Sequence, residues 1–142
     1  MEDKEGLIVV PSLERATHAV GLLLERRLGD LGITQAEAHV LAYLSHAGDR
    51  SINDIHASFG HRRSTLTAIL DRLERRAMVR RGPHPTSRRL VMVHLTDAGR
   101  TAGNRVVAVL RDLEDMVTRR AHGGDVDAFA RVTAAIEEVA HD

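Results

Sequence analysis

Hydrophobic residues recur at helical spacing along most of this chain, and the clearest repeat lies near its middle. Four apolar residues there stand at i, i+3, i+4 and i+7, which predicts an amphipathic helix with one buried stripe. The stripe consists of Leu66, Ile69, Leu70 and Leu73. This helix is expected to begin near Arg62–Ser64, and polar or cationic residues occupy its other faces.

Three helices are predicted before this one. Ser12 is a suitable N-cap for the first helix, whose apolar residues continue to Gly32. A capping box at Thr34–Glu37 starts the second helix. Ser51–Ile52 is expected to form a short strand or an extended link, and a third, short helix then covers about Asn53–Phe59.

A β-hairpin is predicted after the central helix. Met78–Arg81 is expected to be its first strand, and Gly82–Ser87 is a turn that contains two prolines. Arg89–Leu95 places alternate residues on two faces, as a strand with one buried face does. The face expected to be buried holds Val91, Val93 and Leu95.

Two long helices are predicted to follow the hairpin. Thr96 and Asp97 cap the first, and Asp125 caps the last after a break at Gly123–Gly124. The first carries apolar residues that repeat like a coiled-coil seam, namely Val106, Val109, Leu110, Leu113, Met116 and Val117. This seam indicates a dimer interface, and an intramolecular helix bundle is the alternative.

The order helix, strand, turn, strand is typical of a helix-turn-helix with a β-hairpin wing. The predicted fold class is therefore mainly α with a small β-hairpin, an α/β winged helix-turn-helix with six helices. The chain as a whole is neutral, with 20 basic and 20 acidic residues, but Gly60–Leu90 holds nine arginines against two acids, a net charge of +7. Such a concentration predicts a positive face suited to duplex DNA.

The second helix of a helix-turn-helix enters the major groove with its N-terminal residues at base edges. Arginine can fork onto a guanine edge, and threonine offers a hydroxyl and a methyl group. Arginines of the hairpin are placed to enter a neighbouring minor groove. The predicted DNA-binding residues are Arg62, Arg63, Ser64, Thr65, Thr67, Ala68, Arg72, Arg81, His84, Arg88 and Arg89. The alternative is a solvated surface and a hairpin that only covers the core edge.

Several functions are disfavoured by what the sequence lacks. Its three aromatic residues are too few for base stacking on single-stranded nucleic acid. It has no cysteine, so disulfides, thiolate metal sites and thiol redox switches are excluded. No two of the nine histidines stand at i, i+4, and no nucleophile–base arrangement is evident, so we expect no metal, no cofactor and no enzymatic activity. Without a long apolar run or a signal peptide, a cytoplasmic location away from membranes is expected.

The central segment resembles the winged helix-turn-helix core of the MarR (multiple antibiotic resistance regulator) family, and the likeness extends over nearly the whole chain. The residues that carry it are Gly60, Ser64, Thr65, Thr67, Asp71, Arg72, Leu73, Glu74, Arg75, Val79, Arg81, Arg88, Arg89, Leu95, Thr96 and Gly99. The resemblance implies a homodimeric transcription regulator, usually a repressor. It implies a recognition helix around Ser64–Arg75 and a wing around Arg81–Arg89. The dimerisation region would comprise residues 1–32 and 97–142, and the DNA-binding lobe residues 33–96.

Two departures from the family pattern stand out. Ser87 replaces the aspartate that would hold the second wing arginine by a salt bridge, which leaves open which arginine reaches DNA. Ala77 replaces the usual glycine after the recognition helix, which we expect to be a minor steric change.

The resemblance also implies an effector pocket between the dimer base and the lobe. Arg15, His18, His39 and Tyr43 are the candidates to hold an acidic or phenolic small molecule there, the alternative being ordinary surface or buried residues.

The sequence thus favours a homodimer that reads a pseudo-palindromic duplex, with half-sites about 10 bp apart. It is expected to repress neighbouring genes until a small anionic or phenolic ligand releases it. The alternative is a winged-helix protein-interaction module that does not bind DNA.

Overall fold

The computed structural model describes residues 6–141, and these residues form six α-helices, one turn of 3-10 helix and three short strands. In chain order the elements are α1 (Val9–Leu28), the 3-10 turn (Gly29–Leu31), α2 (Gln35–Ala47), β1 (Arg50–Ser51), α3 (Ile52–Phe59), α4 (Arg63–Arg75), β2 (Val79–Pro83), β3 (Val91–Leu95), α5 (Asp97–Thr118) and α6 (Asp125–His141). The chain divides into two compact units, one ending at Val109 and one beginning at Leu110. The predicted winged helix-turn-helix with six helices is confirmed.

The first helix begins earlier than predicted. Ser12 is not its N-cap, because α1 starts at Val9 and no side chain caps it. Pro11 is tolerated inside the first turn because the N–H groups there have no intrahelical partner in any case. The hydroxyl of Ser12 instead accepts a hydrogen bond from Nη2 of Arg15 at 3.2 Å.

Two capping boxes start the helices that lead to the central module. The predicted box of α2 is present, with the Glu37 amide donating to Thr34 Oγ1 at 3.2 Å and the Thr34 amide donating to Glu37 Oε2 at 3.2 Å. The sequence prediction missed the second box. Ser51 ends strand β1 and also caps α3, where its hydroxyl accepts from the amide of Asp54 at 3.1 Å. The three-residue spacing from Ser to Asp is the available signal, since it matches that of the first box.

The sheet is antiparallel, with strand order β1-β3-β2. In the hairpin, Val79 pairs with Leu95 and Pro83 pairs with Val91. Strand β2 therefore extends two residues nearer the wing tip than predicted, to Pro83, whereas β3 begins two residues farther from the tip than predicted, at Val91. Val93 and Leu95 are buried as expected, but Val91 is 41% exposed because it lies at the end of the hairpin that is farther from the core.

The core of the N-terminal unit lies between α2, α3, α4 and the sheet. The stripe predicted on α4 is its centre, because each of its four side chains is at most 1% exposed. They pack with residues contributed by the other elements, including Val40, Leu41, Leu44, Ile55, Val79 and Val93. Burial of this stripe fixes which faces of α4 remain in solvent.

Helix α5 starts in tight contact with the hairpin. Thr96 Oγ1 accepts from the amide of Gly99 at 3.0 Å and donates to the carbonyl of Ala77 at 2.5 Å, which confirms the predicted cap. A Cβ atom added at Gly99 would stand 1.8 Å from the carbonyl oxygen of Met78. The glycine of the Leu-Thr-x-x-Gly pattern at Leu95–Gly99 is therefore required by the close approach of two backbones, and its threonine caps α5.

Ala77 adopts a backbone conformation that alanine rarely takes. Its φ of 54° lies in the left-handed region, where an L side chain costs about 1–2 kcal/mol. The change from the family's glycine was expected to be a matter of size. It proves to be a matter of backbone strain, because glycine alone adopts this φ freely.

The C-terminal unit buries little of its apolar surface. Among the described residues of this unit, none reaches full burial in the isolated chain. Its most exposed large apolar side chains are Val117, Val126, Phe129, Val132 and Val139, at 41–75% exposure.

We predict that Gly99→Ala lowers the free energy of unfolding by about 2–3 kcal/mol, because the added methyl group overlaps the Met78 backbone. Chemical denaturation monitored by circular dichroism would measure the loss. Gly29→Ala is the matched control, since a Cβ there meets nothing within 4 Å. Equal stability of the two variants would contradict the close approach of α5 to the hairpin.

Candidate nucleic-acid interface

The N-terminal end of α4 presents a group of polar and cationic side chains to solvent. All six residues predicted at this end are exposed, namely Arg62, Arg63, Ser64, Thr65, Thr67 and Ala68. Gly60 ends α3 in the left-handed conformation, with φ 64°, and turns the chain into α4. No side chain caps α4, so its first amide groups remain free to meet an anion.

The wing contributes two more exposed arginines. Arg88 and Arg89 lie between the prolines of the turn and strand β3, and both are exposed. Ser87 stands where the family has an aspartate, and its hydroxyl accepts from the backbone amide of Arg89 at 3.3 Å. In place of a salt bridge to a guanidinium, the structure therefore has a local backbone contact that leaves both guanidinium groups in solvent.

Arg81 is held inside the lobe by two acids of α4. Its Nη2 lies 2.6 Å from Asp71 Oδ1, and its Nη1 lies 3.5 Å from Glu74 Oε2. The side chain is only 26% exposed. Arg81 thus ties strand β2 to α4, and its predicted contact with DNA stays a prediction.

Arg72 joins α4 to α2. Its Nε lies 2.6 Å from Oε1 of Glu37, a carboxylate that is 3% exposed and also belongs to the capping box of α2. The Arg72 side chain is 42% exposed, so one edge of its guanidinium still faces solvent. Its predicted contact with DNA is likewise untested by this geometry.

Arg76 is a structural residue that the sequence prediction missed. Its guanidinium donates to the carbonyl of Gly32 at 2.6 Å and to the carbonyl of Leu31. Arg76 therefore supplies hydrogen-bond donors to carbonyl oxygens at the C-terminal end of the 3-10 turn, which lack partners within the turn. The sequence carried no signal for this role, because the contact joins residues more than 40 positions apart.

Seven of the nine arginines of the basic segment fall into two groups by their contacts, and the other two, Arg75 and Arg80, are exposed. Arg72, Arg76 and Arg81 are engaged with acids or carbonyls, and the two acids of the segment both lie against Arg81. Within residues 6–141, the guanidinium groups of Arg62, Arg63, Arg88 and Arg89 form no side-chain hydrogen bond or ion pair. The uncompensated positive charge is therefore concentrated at the start of α4 and on the wing.

The four residues proposed for an effector pocket do not meet at one place. His18 lines a hollow of about 350 Å³ between α1 and α2, whereas Arg15, His39 and Tyr43 are not among the residues that line it. The Tyr43 hydroxyl accepts from Ser58 Oγ at 3.0 Å, and its ring packs edge-on against Phe59. Only His18 of the set is placed to touch a molecule in this hollow.

His39 and His61 form a small cluster near the turn into α4. Burial lowers the pKa of His39, and the charge of the neighbouring His61 lowers this pKa further. The ring of His61 stacks on Phe59 with centroids 5.8 Å apart. His39 is thus half-buried, and both its burial and the charge of His61 disfavour its protonated form.

Two further findings concern the described part of the chain. No helix within residues 6–141 is long and apolar enough to cross a membrane. The same residues contain no group of three or more histidine, aspartate or glutamate side chains arranged to hold a metal ion.

A statistical model of the MarR family matches residues 31–90. The transcriptional regulator PecS of Dickeya dadantii (strain 3937) is 33% identical to the chain over 108 residues, which is 74% of the chain and 65% of PecS. MhqR of Bacillus subtilis (strain 168) is 26% identical over 87 residues, 61% of the chain and 60% of MhqR. The chain therefore spans somewhat less than two thirds of either relative.

Solved structures share the fold at low sequence identity. MepR of S. aureus in its DNA-binding conformation superposes with a TM-score of 0.82 at 18% identity, covering 94% of this chain and 99% of that one. The S. aureus MepR–DNA complex gives a TM-score of 0.79 at 18% identity, covering 93% and 98%.

The three-stranded sheet with its β2–β3 hairpin, the amphipathic α4 and the other helices define a winged helix-turn-helix fold. Residues 31–90 are therefore similar to the MarR family, and the rest of the chain shares the fold of the solved structures.

We predict that Arg72→Ala lowers the free energy of unfolding by about 2 kcal/mol, because it leaves the buried Glu37 carboxylate without its ion partner. Thermal denaturation at neutral pH would measure the change. Arg75→Ala is the control on the same helix, since Arg75 is exposed and its loss should change stability by less than about 0.5 kcal/mol. If the two substitutions had the same effect, the Arg72–Glu37 contact would not be a stabilising one.

Proposed function

We propose that the protein is a homodimeric, sequence-specific DNA-binding transcription regulator. Two relatives, PecS and MhqR, carry the name of helix-turn-helix transcriptional regulators. MepR and AbfR, which share the fold, have been solved bound to DNA. These names support the proposal, and the charge distribution of the chain itself carries it.

The observation that carries the proposal is the placement of free cations. The buried stripe of α4 directs the opposite face of its N-terminal end outward, with Arg62 and Arg63 unpaired. The wing adds Arg88 and Arg89 from a second direction. Arginines on a recognition helix and on a neighbouring hairpin match a duplex whose major and minor grooves lie side by side.

In this proposal residues 33–96 form the DNA-binding lobe. Ser64, Thr65, Thr67 and Ala68 meet base edges in the major groove, with the arginines beside them on guanine edges or phosphates. Arg72 and Arg81 act chiefly by holding α4 against α2 and β2, as their contacts with Glu37 and Asp71 suggest.

Exposed apolar side chains support the homodimer. Eleven large apolar residues are exposed in the described part of the isolated chain, and ten of them lie at its two ends, outside the lobe. The single exception is Val91 on β3. Surfaces of this kind mark interaction sites. We propose that residues 1–32 and 97–142 pair with the same regions of a second copy, so that two lobes read a pseudo-palindrome with half-sites about 10 bp apart.

We further propose that the dimer represses neighbouring genes and is released by a small anionic or phenolic ligand. A ligand that binds better to one spacing of the two recognition helices shifts the dimer toward that spacing. The hollow beside His18, between α1 and α2, is the proposed entry point for this ligand. The resemblance to the MarR family, whose members are usually repressors, supports repression rather than activation.

The DNA-binding test is a duplex selected from a random pool by the wild-type protein, followed by affinity measurements across a range of salt concentrations. Arg62→Ala and Arg88→Ala should each weaken binding by about 1–3 kcal/mol. Each lost phosphate contact should reduce the salt slope by about one. Fluorescence anisotropy would report both quantities.

Arg26→Ala is the control for this test, since Arg26 is an exposed arginine of α1 outside the lobe. It should leave the affinity unchanged. If no duplex is selected, or if binding does not weaken as salt rises, the DNA-binding proposal is wrong and the protein-interaction module becomes the better reading.

The dimer test is Phe129→Asp. Phe129 is 61% exposed in the isolated chain, so the substitution should spare the fold of one copy while placing a charge in the proposed interface. Sedimentation should show the dimer dissociation constant raised by at least about tenfold. Val91→Asp, at an exposed apolar site away from the end helices, should leave the dimer intact. A Phe129→Asp protein that dimerised like the wild type would place the interface elsewhere.

A further inference from the structure

The tip of the wing is organised around one imidazole. His84 lies between Pro83 and Pro85, so the backbone on both sides of it has little freedom. Pro85 has no N–H group, and the first amide available after His84 is that of Thr86. Between the two prolines, the His84 side chain is the group that can form hydrogen bonds with the turn.

This side chain accepts hydrogen bonds from the turn that follows it. The backbone amides of Thr86 and Ser87 both donate to His84 Nδ1, each at 3.1 Å. The hydroxyl of Thr86 lies 3.4 Å from the same nitrogen. Ser87 in turn accepts from the amide of Arg89 at 3.3 Å, so the contacts pass from His84 to the base of the exposed arginines.

These contacts define the chemical state of the ring. A backbone amide can only donate, so the nitrogen that receives two of them must carry a lone pair and no proton. The proton of the neutral ring is then on Nε2. Protonation of Nδ1 would turn the acceptor into a donor facing two other donors, and both hydrogen bonds would be lost.

We propose that His84 is a positioning residue of the wing, whose unprotonated Nδ1 holds the tip in the shape that presents Arg88 and Arg89 to DNA. The proposal rests on the proposed DNA-binding function and assigns His84 a role within it. On sequence grounds His84 was expected to touch DNA. The hydrogen bonds indicate instead that it acts through the two arginines that follow it.

The charges around His84 bear on its response to pH. His84 lines a small hollow at the wing tip together with Pro83, Pro85, Thr86, Ser87, Arg88 and Leu90. Arg88 is the one other charged residue of this lining. Strand β3 and the prolines contribute no acid to the hollow that would hold a protonated imidazole.

The first arm of the test examines the free protein by NMR. Long-range proton–nitrogen correlation should show the His84 ring protonated on Nε2 at neutral pH. The amide signals of Thr86 and Ser87 should move when the ring is protonated and in the His84→Ala variant. A ring protonated on Nδ1 at neutral pH would overturn the proposal without any reference to DNA.

The second arm measures affinity for a duplex selected by the wild-type protein, at constant ionic strength. At pH about 7.5, His84→Ala should weaken binding by about tenfold, because two hydrogen bonds that order the tip are lost. His84→Asn should recover most of this loss, since the Asn side-chain oxygen accepts from the amide two residues on. Circular dichroism melting of each variant would confirm that it is folded.

The pH profile separates positioning from a direct cationic contact. Between about pH 7.5 and 5.5, the range in which imidazoles titrate, wild-type affinity should fall more steeply than that of His84→Asn, which carries the same eight remaining histidines. An affinity that rises as the pH falls, and does so only with His84 present, would mean that the imidazolium contacts phosphate and would overturn the proposal. The proposal would also be overturned if the His84→Ala variant bound DNA at neutral pH as tightly as the wild-type protein.

Failure of the proposed function gives a different result. If the wild-type protein selects no duplex, DNA binding itself is wrong and the role of His84 at DNA falls with it. The NMR arm still reports in that case whether Nδ1 organises the tip.

Discussion

Burial of one face of α4 is the constraint on which the rest of the lobe depends. Each fully buried Leu or Ile of that face contributes about 1.5–3 kcal/mol, so four of them leave the helix little freedom to rotate. Since Leu66 and Ile69 face the core, Arg63 and Thr67 must face solvent. The chemistry of the exposed face is therefore set by the packing of the buried one.

The same packing divides the arginines by role. A guanidinium that lies beside a buried or half-buried acid is used within the lobe, as Arg72 is by Glu37 and Arg81 by Asp71. The guanidinium groups of Arg62 and Arg63 at the start of α4, and of Arg88 and Arg89 on the wing, have no such neighbour among the described residues and remain available to an external anion. The net charge of the segment does not show which arginines are paired and which are free. The lobe has a positive edge because the free arginines lie apart from the paired ones in the folded structure.

Close backbone approach explains the positions where the chain has little choice of residue. Gly99 has no room for a side chain because the Met78 carbonyl occupies the space. The Ala77 side chain has room, but its φ of 54° is unfavourable for an L residue. Glycine would adopt this φ without that loss of stability. Both positions lie where α4, the hairpin and the start of α5 meet, so few residue types fit at that junction.

The sequence by itself determined the elements and the location of the charge, because helical periodicity, capping residues and the Leu95–Gly99 pattern are local signals. It misplaced the start of α1 and missed the caps and contacts of Ser51 and Arg76. It also grouped His18 with Tyr43, which the fold places in different surroundings. Only the tertiary structure decided which cations are paired and which are free, since ion pairs such as Arg72–Glu37 join residues that are distant in the chain.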